Sequence, residues 1–151
     1  MEYFVLKEQK GNPIPQIINW HGKLDIRKLT REAYRELPQY ILLDMKLGTD
    51  FFYPDILEEP IFLVSREVME IIKMYEEDMP FLYVALFDTE KKESKSYYCP
   101  VLEESNVGHK GVIYQVRKNH EREVRVRLDL VESMLSRGAT GIELEVLAED
   151  T

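Results

Sequence analysis

Few side chains in this sequence could carry chemistry, and their spacing argues against most of it. Cys99 is the only cysteine, and the histidines are His21, His109 and His120. None of the three has a second histidine or a cysteine at ligand spacing, so a zinc site has no support and no metal or other cofactor is expected. Cys99 and His109 could in principle act as nucleophile and base. A lone cysteine between Tyr98 and Pro100 in a strand-like run reads instead as a small buried hydrophobe. With 28 acids in the chain, carboxylates adjacent in sequence carry no weight for glycosidase-type catalysis. A GxGxxG loop, a Walker A loop, a GxSxG elbow and an HExxH helix are all absent. The expectation is a protein that is not an enzyme.

Charge is more informative. The net charge is −8, which disfavours a nucleic-acid binder that relies on phosphate attraction. Between residues 55 and 90 stand ten acids and two bases (Arg66 and Lys73), while the remaining chain has eighteen of each sign. The whole imbalance therefore sits in one region. Just before it, Phe51-Phe52-Tyr53 places three consecutive aromatics beside acids and next to Pro54. Consecutive side chains cannot all face one core, so at least one aromatic should point away from it. Phe52, Tyr53, Asp55, Glu58, Glu59, Glu76, Glu77 and Asp78 are thus the candidates for meeting a protein partner. The opposite reading is that the acids only solubilise a surface. The basic run over residues 117–127 has little aromatic interleaving and reads as a solvated hairpin rather than an RNA site.

The elements that must position these residues follow from periodicity. Within a chain of 151 residues, 44% apolar and 32% charged, one domain over residues 1–151 with a substantial core is the default. The lone cysteine fits a reducing cytosol, and neither a signal peptide nor an apolar run of ~20 residues is present, so a cytoplasmic protein without membrane segments is expected. The centre is residues 61–87. A short apolar run ends at Val64, and Ser65 then offers an N-cap with Glu67 in the first turn. Val68, Ile71, Ile72 and Tyr75 follow at helical spacing. The helix is expected over 65–78, because Pro80 disfavours helical backbone at Met79. Residues 81–87 show no polar alternation and read as a strand buried on both faces at the middle of the sheet.

Around this unit, strands are expected over 3–7, 40–46, 96–102, 112–116, 123–127 and 142–146, the last alternating strictly. A short helix is expected over 30–37 and a hairpin loop over 88–95, with a turn at Gly108 to Gly111. Pro100 implies a strand edge or bulge. Trp20 reads as an aromatic covering one end of the core, and Asp25 is free to bond nearby backbone. Asp129 and Glu132 have capping-box spacing ahead of Val131, Met134 and Leu135, with Gly138 as the helix terminator. The sum is an α+β fold, a mixed or mostly antiparallel sheet with two main helices.

The order of features from Pro54-Asp55-Ile56-Leu57 onward resembles a known family. That segment leads into Phe62-Leu63-Val64-Ser65-Arg66-Glu67-Val68, a helix, Met79-Pro80-Phe81, a Tyr97-Tyr98 strand and a closing helix running into Gly138-Ala139-Thr140-Gly141-Ile142-Glu143-Leu144. Over residues 40–148 this is similar to the bacterial immunity proteins of polymorphic toxin systems, in the branch formerly catalogued as a domain of unknown function. Where similar proteins often start the closing helix with a Ser-type cap, this chain has Arg127. The resemblance implies a non-catalytic binding protein that neutralises a cognate, possibly basic, toxin. The alternative is an adaptor or regulatory interaction domain unrelated to toxins.

Overall fold

The structure is a computed structural model and describes residues 2–105 and 111–147. Among these, the strands are β1 (Tyr3–Glu8), β2 (Gln16–Ile18), β3 (Tyr40–Lys46), β4 (Ile56–Leu57), β5 (Leu63–Val64), β6 (Phe81–Asp88), β7 (Glu93–Pro100), β8 (Ile113–Lys118), β9 (Glu121–Arg127) and β10 (Ile142–Val146). Two helices, α1 (Arg66–Tyr75) and α2 (Leu128–Ser136), complete an α+β fold. The strands form two sheets rather than one. The larger is mixed, in the order β2-β3-β6-β7-β5-β4, with β3 and β6 parallel; the smaller is antiparallel, β10-β1-β9-β8.

Local chemistry explains most element boundaries. The Ser65 hydroxyl accepts the Val68 N–H at 3.2 Å, satisfying an orphan donor at the start of α1, and Glu67 lies in the first turn where the dipole favours it. The helix stops at Tyr75, three residues short of expectation, because Glu76 leaves helical backbone (φ −135°) and Met79 N–H turns back to the Glu76 carbonyl. Val68, Ile71 and Ile72 are buried as the period requires, whereas Tyr75 lies at the rim and donates its hydroxyl to the Asp129 carbonyl. In α2 the capping expectation fails. Arg127 occupies the N-cap with no side-chain bond to the helix backbone, and Asp129 lies inside the first turn, where its carboxylate takes both Nε and Nη2 of Arg127 at 2.8 Å.

Both hairpins are tighter than the sequence suggests. β6 and β7 stay paired out to Asp88 and Glu93, leaving a four-residue turn, and β8 and β9 are joined by Asn119 and His120 alone. Those two residues have φ of 52° and 68°, the double positive φ that matches the twist of a two-residue hairpin. Pro100 ends β7 opposite Phe81, where its missing N–H interrupts no longer ladder. The expected helix over 30–37 is a single 3-10 turn, Tyr34–Glu36, and a second such turn, Ile26–Lys28, is capped by the Asp25 carboxylate accepting Arg27 N–H. Of the expected turn at Gly108 to Gly111, only Gly111 is among the described residues.

The apolar side chains gather in two clusters. The first lies on the inner face of the larger sheet: Ile41, Leu43, Met45, Leu82, Val84, Leu86 and Tyr97, roofed by Leu24 and Leu29, with Trp20 and Tyr34 packed against it. The second joins the smaller sheet to both helices through Leu6, Val124, Val126, Leu130 and Met134 on one side and Val64, Val68, Ile71 and Ile72 on the other. Helix α1 is therefore the wedge between the sheets.

Candidate functional site

The residues chosen from the sequence disperse. Phe51 and Tyr53 pack against the first cluster and against each other, ring centroids 5.4 Å apart. The Tyr53 hydroxyl donates to Glu93 at 3.0 Å, and burial together with that carboxylate raises its pKa to about 12. Phe52, also half-buried, turns the other way, toward Gly141. Gly141 has φ of 74° and a Cβ there would lie 2.4 Å from Pro54 Cβ, so only glycine fits this closure. Asp55 is an internal junction. Its carboxylate accepts the Ser65 hydroxyl and the Thr140 N–H at 2.6 Å each, while its own N–H and carbonyl bond Thr140 and Ser65.

The acids divide in the same way. Glu76 accepts the Val112 N–H, and Asp88 is buried with its carboxylate taking the N–H groups of Leu47 and Lys91, which lower its pKa. Glu58 lines a crevice, where burial and then the Glu8 carboxylate raise its pKa. Of the eight candidates, Glu59, Glu77 and Asp78 are exposed. Glu77 and Asp78 stand just ahead of β6, whereas Glu59 lines the crevice, so no single acidic surface holds all eight.

A surface that the sequence reading missed is the outer face of the larger sheet. Strand β6 is interior, as expected, but it is not buried on both faces: Leu82, Val84, Leu86 and Asp88 are covered, while Phe87 is 39% exposed. The register brings Tyr40, Tyr83 and Tyr98 into one rung across β3, β6 and β7, with edge-to-face contacts of 5.7 and 5.4 Å, and Tyr83 bonds Ser96 through its hydroxyl. The next rung is Leu42, Ala85 and Ser96. Helix α1 covers this face over β5 and β7 and meets the start of β6 at Phe81, whose ring lies 5.7 Å from Lys73 Nζ and packs against the cluster that includes Val68 and Ile72. Beyond it Tyr40 and Leu42 are 69% and 60% exposed. Strand β2 pairs with β3 only from Asp44 to Lys46, so residues 40–43 border no further strand among the described residues. A signal was present: Tyr40-Ile41-Leu42-Leu43 is apolar in both phases of a strand, and a two-sided apolar strand needs two covers.

A second feature is a crevice of about 740 Å³ between the sheets. Leu6, Cys99, Leu102 and Val124 contribute apolar lining, Glu58 and Glu59 one wall, and the β8–β9 hairpin with Lys118 and Arg122 another. The Cys99 thiol is buried here, and desolvation pushes its pKa up to about 12, so it is protonated at neutral pH. Among the described residues no three metal-ligating side chains gather, and no helix is long and apolar enough to cross a membrane. No protein-family model matches the chain, and no curated protein matches it in sequence.

Proposed function

We propose that this is a non-catalytic protein-binding domain, an immunity-type protein that neutralises a basic toxin domain in the cytoplasm, and that the open half of the larger sheet is its contact surface. The carrying observation is the apolar area formed by Tyr40 and Leu42 on β3 and Phe87 on β6, next to an edge of β3 that borders no further strand over residues 40–43 among the described residues. Isolated exposed apolar residues are ordinary, but a contiguous set beside a free strand edge is the usual mark of an interaction site. Aromatic and aliphatic anchors supply binding energy by desolvation, and Glu77 and Asp78, at the end of the face where Tyr40 meets Tyr83, supply the charge that steers a basic partner.

The test is surface binding kinetics against a basic toxin domain encoded beside the gene, at two salt concentrations. Leu42→Glu should speed dissociation by at least about tenfold, the equivalent of ~1.4 kcal/mol. Reversing Glu77 and Asp78 to Lys should slow association at low salt and matter little at high salt. Unchanged kinetics in both variants would exclude this face as the contact surface.

A further inference from the structure

We propose that the crevice between the two sheets binds a short unblocked peptide, a zwitterion with an apolar middle. Its volume lies within the ~300–1,000 Å³ typical of small-ligand sites. The three parts of such a ligand each have a counterpart on the walls. Glu58 and Glu59 form an acidic wall, with Glu8 close enough to bond the Glu58 N–H, and neither carboxylate has a cation at ion-pair distance among the described residues. Burial and then the Glu8 carboxylate raise the pKa of Glu58, and the Lys7 ammonium only partly offsets them. On the hairpin side, Arg117 is engaged by Glu104 and Glu123 by Arg125, whereas Lys118 and Arg122 have no ion-pair partner among the described residues. Arg122 and Cys99 line the same crevice, and the charge of Arg122 acts on the buried thiol, opposing the upward push of burial on its pKa.

Gln115 decides between a peptide and a simpler ligand. This side chain is 7% exposed, lines the crevice, and donates Nε2 to the Leu102 carbonyl at 3.5 Å. Its amide oxygen accepts from no described residue. A buried acceptor without a donor costs free energy, and a peptide N–H crossing the floor would supply the donor. An anion alone would leave Glu58 and Glu59 unanswered, and a cation alone would leave Lys118 and Arg122. An ammonium toward Glu58 and Glu59, a carboxylate toward Arg122 and Lys118, and an amide N–H at Gln115 satisfy all three. The crevice shares no residue with the Tyr40, Leu42 and Phe87 surface, so this site stands independently of the toxin reading.

The experiment titrates the full chain with the tripeptide Ala-Leu-Ala and, separately, with its N-acetylated, C-amidated form, following the side-chain amide signals of Gln115 and the Nε–H of Arg122 by NMR. Saturable shifts with the free tripeptide are expected, with affinity lowered about tenfold for the blocked form and by a similar factor in Arg122→Gln and in Glu59→Gln, as the loss of one charge-assisted contact implies. Both substituted side chains are exposed, so each variant keeps its fold, which an unchanged melting temperature verifies. Absence of saturable shifts at millimolar tripeptide, or equal binding of the free and blocked forms, overturns the proposal.

Discussion

The two faces of the larger sheet are built from the same strands and end in different states. Along β3, Ile41, Leu43 and Met45 are buried, while the alternating Tyr40 and Leu42 stand mostly in solvent. Along β6, Leu86 is fully buried and its neighbour Phe87 is not. Side chains of similar hydrophobicity therefore sit at consecutive positions with opposite fates. The inner face is closed by the irregular segment carrying Leu24, Leu29, Trp20 and Tyr34, whereas the outer face has one ten-residue helix, which lies over β5 and β7. What separates a stabilising leucine from one free to bind is the reach of the covering element, not the side chain itself.

The sharpest way to break this comparison is truncation on either side of it. Leu86→Ala removes a fully buried side chain and should cost ~2–5 kcal/mol in chemical denaturation. A cost near zero would mean the inner face is not the core. Next in size, Tyr97→Phe should cost ~1–3 kcal/mol, because the buried hydroxyl that donates to the Pro54 carbonyl at 2.7 Å would leave that acceptor without its partner. The matching outer-face change, Tyr83→Phe, should cost ~0.5 kcal/mol, since the hydroxyls of Tyr83 and Ser96 are partly open to water. If both tyrosines respond alike, the two faces do not differ as described.

Asp88 extends the test to pH. It faces inward at the end of β6, and the N–H groups of Leu47 and Lys91 hold its pKa below the ordinary carboxylate value. A depressed folded-state pKa contributes stability that is present above the unfolded-state value and lost as pH falls through the folded-state one. Acid titration of unfolding should therefore show a loss of stability below the ordinary carboxylate range, and Asp88→Asn should flatten that part of the profile. The smallest expected effect is that of Leu42→Ala, within ~0.5 kcal/mol of wild type because an exposed side chain has little burial to lose. Paired with a loss of partner affinity in the kinetic assay, that near-silence in stability would separate binding from folding at this position.

Much of the framework was legible. The run Tyr40 to Lys46, the apolar run from Phe81 and the alternation of Ile142 to Val146 all appear as strands at or near the expected bounds, because strand periodicity is written into consecutive residues. Ser65 as the cap of α1 was legible for the same reason: donor and acceptor lie three residues apart. The segment before β3 was not. Its 3-10 turns carry little periodicity, and its order depends on packing against a sheet formed by later residues.

The sequence by itself determined the strand and helix periods, the cap of α1, the buried phase of the alternating strand β9 and the localisation of the acid excess. Tertiary structure alone decided what the acids and aromatics do. Asp55 became a junction through a bond to Thr140, eighty-five residues away, and Asp88 was taken inward by Leu47, forty-one residues away. Which of the two apolar phases of β3 was left uncovered was settled by how far α1 reaches across the sheet. Local spacing cannot encode these outcomes, because a side chain's solvent exposure and its hydrogen-bond partner are set by whichever distant segment packs against it.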